Sequence, residues 1–261
     1  MSMLVRSEQA VTLAFVERDA GGNAKYAFYS EGAADRFYYP SDLPVTLPES
    51  CRFLLVGSIS LAQEPSGSSI CSLIEREHIA RLVSFDPNIR PNLISDKVRY
   101  IERFEWICQR SAIVKASDSD LEWLYEMPGR KAAQKVLEMG PELVAFTLGD
   151  RGAVLMTKAR QVEMPAKSVP VVDTIGAGDS FHAALLVGLG WLKVSTRKDL
   201  SALSEEAMQS ILRLAISEAA LDCTKRGAEP PTLRELALFD PEAVKIAPGI
   251  MSSFNTRGVI C

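Results

Sequence analysis

Histidine and paired cysteine are what this sequence has least of. His78 and His182 are its two histidines, and Cys51, Cys71, Cys108, Cys223 and Cys261 are scattered with no C-x-x-C pair among them. A structural zinc site needs clustered thiolate and imidazole ligands, so that class is excluded. An odd number of dispersed cysteines fits a reducing cytoplasm better than a disulfide framework. Basic blocks are missing too. Lys and Arg number 29 against 33 Asp and Glu, a net charge of −4, and such a chain has no electrostatic footprint for DNA or RNA. No apolar run reaches membrane length, since the most apolar window, Phe181 to Leu192, has 12 residues and includes two glycines and a histidine. A span takes about 20. The opening, MSMLVRSEQA, is too polar for a signal peptide. A soluble, cytoplasmic protein that binds neither membrane nor nucleic acid is expected.

What is present is an ordinary globular composition, 47% hydrophobic and 24% charged over 261 residues, enough to bury a sizeable core. VTLAFVERDA (11–20) and KYAFYSE (25–31) are rich in aromatic and β-branched residues and flank Gly21-Gly22-Asn23, a hairpin signature. After a polar stretch, RFLLVGSIS (52–60) reads as a buried strand. Strands and helices then alternate: helix 67–80, strand 81–88, helix 96–110, strand 111–117, a helix capped by Ser117, helix 129–139 and strand 142–149. GAVLMTK (152–158) and QVEMPAK (161–167) form a β meander, a helix starts at Gly176, and a long one covers 204–225. This alternation predicts an α/β fold, an open and mostly parallel sheet flanked by helices. Residues 51–240 make the core, 1–50 a small β-rich appendage or lid remnant, and 241–261 a tail. Ligands of such sheets bind beyond the carboxyl ends of the strands.

The chemistry concentrates in Val171-Val172-Asp173-Thr174-Ile175-Gly176-Ala177-Gly178-Asp179-Ser180-Phe181. A strand-like run ends, a Gly-Ala-Gly turn follows, and an apolar helix begins with an acid in its first turn. Glycine lets backbone approach an anion, and the free N–H groups of a helix start carry partial positive charge. That combination suits phosphate oxygens. Asp179 beside it would act as a base toward an attacking hydroxyl. The plainer alternative is an acid complementing a helix dipole after a glycine turn. His182, one turn further on, reads as a packed or surface histidine, and Trp106, Trp123 and Trp191 read as core.

Asp173-Thr174-Ile175-Gly176-Ala177-Gly178-Asp179 resembles the D-T-x-G-A-G-D signature of the ribokinase-like, PfkB-type carbohydrate kinases, nearest to the bacterial fructokinases. The resemblance implies that Asp179 is the catalytic base and that Gly176, Ala177 and Gly178 form the anion hole. It sets Asp173 near a monovalent-cation site, potassium, found in some members. Asp86-Pro87-Asn88-Ile89-Arg90 is similar to a D-x-N-x-R string of fructokinases and 2-keto-3-deoxygluconate kinases, which implies that Asp86, Asn88 and Arg90, with Lys115, face substrate or phosphate. Ser117 and Asp120 stand where the family carries an N-x-x-E motif near magnesium. Helix capping explains both equally well. Thr147, Gly149 and Gly152 look like the nucleotide-side T-L-G-x-x-G turn, and Gly227, in Lys225-Arg226-Gly227-Ala228, like the turn lining the adenine pocket.

The match runs from about Val11 to about Thr232, so the family's opening strand and G-G-x-x-x-N loop have no counterpart. Much of the sugar pocket would then be absent from the chain as written, and an apolar sheet edge exposed. The implied activity is transfer of phosphate from ATP, with magnesium, to a sugar hydroxyl, as in fructokinase. The alternatives are 2-keto-3-deoxygluconate kinase and a non-catalytic nucleotide-binding remnant. Sugar and ATP are the implied partners, and a homodimer is compatible with them.

Overall fold

The computed structural model describes residues 4–18 and 24–248. The Gly21-Gly22-Asn23 turn, and the tail beyond residue 248, lie outside the described residues. Strands β1 (Leu13–Arg18) and β2 (Ala24–Tyr29) pair antiparallel as a separate small sheet. Its apolar side chains are not covered: Leu13, Phe15, Val16 and Tyr29 are exposed, with the Phe15 and Tyr29 rings packed edge to face.

The main sheet has the strand order β3-β4-β5-β6-β7-β8. Its parallel half comprises β3 (Phe53–Gly57), β4 (Leu82–Asp86), β5 (Ile113–Ser117) and β6 (Leu143–Thr147). Strands β7 (Ala153–Met156) and β8 (Gln161–Met164) continue it antiparallel, as the meander pattern predicts. The crossovers are α1 (Ser66–Glu77), α2 (Lys97–Arg110) and the pair α3 (Asp118–Tyr125) and α4 (Gly129–Met139). The opposite face is covered by α5 (Ala177–Trp191), α7 (Glu205–Asp222) and α8 (Leu233–Phe239), with the short α6 (Arg197–Ser201) between. The mostly parallel, helix-flanked sheet is therefore as expected.

Strands buried on both faces need continuous apolar runs, because successive side chains alternate between layers. Val114, Val144 and Phe146 pack with Phe85, Phe104 and Ile107 on the α1–α4 side. Their neighbours Ile113, Leu143 and Ala145 pack with Phe181, Leu185 and Leu212 on the α5–α7 side. Trp106 and Trp123 border the first core and Trp191 the second, as partly buried residues.

The structure corrects some boundaries. The 52–60 run is a strand only to Gly57, and a 3-10 turn follows at Ser58–Leu61. Ser58 adopts a positive φ of 58° there, which ends the extended chain. Helices α6 and α8 were not expected, yet each opens on a capping box, Thr196 with Asp199 and Thr232 with Glu235. Strand β3 is paired on one side only among the described residues, and its Leu55 is 53% exposed. This is the apolar edge that the sequence led us to expect.

All four parallel strands end on one rim, at Gly57, Asp86, Ser117 and Thr147. Gly57 is constrained there, since a Cβ on it would lie 1.8 Å from the Asp86 carbonyl oxygen. Gly57→Ala must push β3 away from β4. A loss of about 1–3 kcal/mol is expected from such overpacking. It would be read as a lower urea midpoint at unchanged slope.

Candidate functional site

Helix α5 begins at the rim of the sheet. Gly176, its N-cap, has a φ of +92°, a left-handed conformation that favours glycine. The Ala177 amide turns back to the Thr174 carbonyl at 3.3 Å and the Ser180 amide to the Gly176 carbonyl at 2.8 Å. Between them the amides of Gly178 and Asp179 have no backbone acceptor. They are the first-turn donors that a helix cannot satisfy internally. Of the expected anion hole, Gly178 therefore presents a free donor, whereas Ala177 has spent its own.

The same helix start separates two cavities. The larger, about 610 Å³, includes Gly178, Ala177 and Thr174 in its wall, together with Ser117, Thr147, Gly149 and Gly152. Its wall also includes an apolar stripe of α7, Ile216, Ala219 and Ala220, continued by Cys223 at the helix's C-cap. The smaller, about 370 Å³, is lined by Leu54 to Ser58, Ser60, Asp86, Asn88, Asp179 and His182. Asp179 and Gly178 are adjacent in sequence and exposed to different cavities. The Asp179 carboxylate thus borders one chamber, and Gly178, whose amide is free, borders the other.

Beneath the turn lies a buried ion pair. Lys115 Nζ donates to Asp86 Oδ2 at 2.9 Å, both side chains being less than a tenth exposed. Burial works against the Asp86 charge, but His182 and Lys115 together hold the carboxyl below its ordinary range. Lys115 Nζ is 3.0 Å from where a Cβ on Gly178 would sit, so its ammonium supports the anion turn from below.

Other expected residues have more local duties. Both oxygens of Asp120 are engaged, with Ser117 and with the Ile89 amide, so the structure gives this carboxylate a capping role. Asn88, at a φ of 36°, lines the smaller cavity, while the Arg90 guanidinium folds back onto Asn88 and the Ile89 carbonyl. Asp173 accepts from the amides of Ile175 and Gly227, at 3.2 Å each, and so ties the late glycine turn to the anion turn. Gly227 itself is not in the wall of the larger cavity. The α7 stripe was missed from sequence, although its i, i+3, i+4, i+7 spacing is a helical-face signal.

Asp222 was missed as well. It is 2% exposed, its carboxylate oxygens are buried without a hydrogen-bond partner, and Oδ2 is 3.1 Å from the Cβ position of Gly176. Burial first, and the charges of Asp179 and Asp173 in addition, push its pKa up. One turn earlier on α7, half-buried Glu218 is pushed up to about 7 by burial and by Asp222.

A parallel-rim site with a helix start between two chambers places the molecule among ribokinase-like α/β proteins. A fructokinase from Xylella fastidiosa, 24% identical, matches it with a TM-score of 0.81 over 91% of this chain and 76% of its own, a likeness of fold alone. The chain belongs to the pfkB family of carbohydrate kinases, whose family model matches residues 1–234. It is 41% identical over 200 residues to a fructokinase of Rhizobium leguminosarum bv. trifolii, covering 76% of this chain and 61% of that protein. The chain thus spans less than two thirds of that relative's length. A fructokinase of Vibrio cholerae O395, solved with fructose, ADP and calcium ion, is 28% identical with a TM-score of 0.74 over 87% of this chain and 72% of its own. Among the described residues no helix is long and apolar enough to cross a membrane.

The crowding of acids behind the turn has a measurable consequence. A carboxyl whose folded pKa lies above its unfolded value binds more protons when folded, so stability falls as pH rises between the two. For Glu218 that window runs from the ordinary range near 4.5 up to about 7. Glu218→Gln should raise Tm at pH 8 by about 2 °C, a modest change because the group is half exposed. At pH 4 the two proteins should melt together. Thermal melts across this range check it.

Proposed function

We propose that this chain transfers a phosphoryl group from ATP to a hydroxyl of fructose. The observation that carries the reading is the position of the α5 start, which exposes Asp179 to one cavity and the Gly178 amide to the other. In this reading the nucleotide occupies the larger cavity, between the Gly149–Gly152 turn and the apolar stripe of α7. Its terminal phosphate reaches the amides of Gly178 and Asp179, with the Lys115 ammonium below. The sugar occupies the smaller cavity, where Ser58, Ser60 and Asn88 offer polar contacts. Asp179 takes the proton as the sugar oxygen forms its bond to phosphorus. The bond from phosphorus to the bridging oxygen breaks, and ADP leaves with that electron pair.

Positioning and charge do most of the work in phosphoryl transfer. The metal fits this site as part of the nucleotide substrate: among the described residues no group of three or more His, Cys, Asp or Glu is arranged to hold an ion. Magnesium brought in on ATP would neutralise phosphate charge. The calcium ion in the Vibrio cholerae structure supports use of a divalent ion with the nucleotide. Asp173, which joins the two turns, is where a potassium ion would act on the same geometry.

The smaller cavity is walled on one side by the open edge strand β3, so fructose should bind weakly. A coupled assay of ADP release tests the reading, with fructose against 2-keto-3-deoxygluconate as acceptor. Fructose-dependent release at a high KM supports it. Release with only the keto-deoxy acid would transfer the chemistry to that substrate. ATP binding without any transfer would leave a nucleotide-binding remnant.

Two substitutions follow. Asp179→Asn should lower turnover by about 10²–10⁴, the range for losing a general base, with little change in nucleotide affinity. Gly178→Val puts a branched side chain in the path of the phosphate and against Lys115 Nζ, which lies at 3.0 Å. Transfer should be lost, while circular dichroism melts stay within about 4 °C because the position is exposed.

A further inference from the structure

His182 continues the buried ion pair into the helix that carries the anion turn. Its Nε2 is 2.6 Å from Ser84 Oγ, and its Nδ1 stands 3.6 Å from Asp86 Oδ2, the oxygen already held by Lys115 at 2.9 Å. The imidazole is 2% exposed and lies one turn beyond Asp179 on the same helix. Asp86 Oδ2 thus has one hydrogen bond made and a second donor just beyond bonding range. Closing that gap takes a movement of about 0.6 Å.

Lys115 has a competing claim on it. Its ammonium lies under Gly178, where the transferring phosphoryl group arrives in the reading above. An ammonium drawn toward phosphate leaves Asp86 as a buried carboxylate stripped of its cation, a strongly unfavourable state. With its proton on Nδ1 and Ser84 donating to Nε2, His182 is oriented to relieve this.

We propose that His182 is a positioning residue for phosphoryl transfer: its Nδ1–H takes over Asp86 Oδ2 as Lys115 turns to the phosphoryl group. The imidazole keeps its proton throughout and acts on the transfer through Asp86, although His182 also borders the smaller cavity. The proposal rests on the kinase reading for its catalytic consequence, and on the Ser84–His182–Asp86 geometry for its structural one.

The kinetic test uses His182→Leu and His182→Asn, each in a Ser84→Ala background so that no buried hydroxyl loses its partner. Asparagine keeps an N–H near the Nδ1 position and leucine does not. Relative to Ser84→Ala alone, leucine should lower kcat about 10–100-fold with both KM values within about twofold, and asparagine should restore kcat to within about threefold. An equal loss in both variants, or no loss with leucine, overturns the proposal. A second measurement does not depend on turnover. The chain has two histidines, so ¹⁵N-histidine labelling with His78→Gln for assignment isolates the His182 ring. A proton on Nδ1, with its signal displaced in Lys115→Met, is expected. A bare Nδ1 overturns the proposal whatever the kinetics. A protein that shows the Nδ1–H signature but phosphorylates no sugar would instead defeat the kinase reading and keep the Asp86 contact.

Discussion

The Asp86–Lys115 ion pair is the constraint around which the rest of the site is arranged. Two charges, each nearly out of water, sit beneath a helix start on adjacent parallel strands, Asp86 as the last residue of β4 and Lys115 in the middle of β5. Such a pair adds little net stability, because desolvation offsets its attraction, but losing one partner is expensive. The fold must therefore keep β4, β5 and the head of α5 in fixed relation. Parallel pairing does this directly, since the register that sets Phe85 beside Val114 brings the next residues, Asp86 and Lys115, level with each other. The ion pair is thus better understood as holding a charge in place than as holding the fold together.

A second tension runs through the turn above it. The amides of Gly178 and Asp179 and the Lys115 ammonium form a site for negative charge, yet Asp173, Asp179 and Asp222 crowd around it. Asp173 is satisfied by backbone amides, Asp179 is exposed to a cavity, and Asp222 is buried with no hydrogen-bond partner. Of the three, Asp222 has its pKa pushed up, by burial first and by the charges of Asp179 and Asp173 in addition, and a carboxyl perturbed in this way beside a cleft is a common mark of functional sites. Stability at neutral pH is lowered by the repulsion among the three, and an arriving phosphate would add to it unless a metal ion accompanies it.

The two chambers differ in how completely they are built. The larger has walls from β6, β7, α5 and α7, each of which packs into the core on the α5–α7 side of the sheet. The smaller relies on β3, which has a neighbour on one side only among the described residues and presents Leu55 to solvent. The larger cavity is closed in by more of the fold, whereas the smaller is open along β3.

By itself, the sequence determined the alternation of strands and helices, the double-sided burial of the central strands and the glycine turn that opens α5. These are local or periodic properties: apolar runs at strand length, glycines at a left-handed helix cap, an acid in a first helical turn. It also indicated Asp86, Lys115 and Asp179, through their places in motifs at strand ends and a helix start. Tertiary structure alone decided which of the marked polar residues face a cavity. Asp120 and Ser117 share a motif, yet one is consumed by capping and an Ile89 amide while the other also lines the larger cavity. His182 read as a packed or surface residue, because its partners Ser84 and Asp86 are about a hundred residues away in the chain and only the folding of α5 onto the sheet brings them within reach. Asp222 was invisible for the same reason. A carboxylate's burial and its neighbours are properties of packing, and no spacing along the chain encodes them.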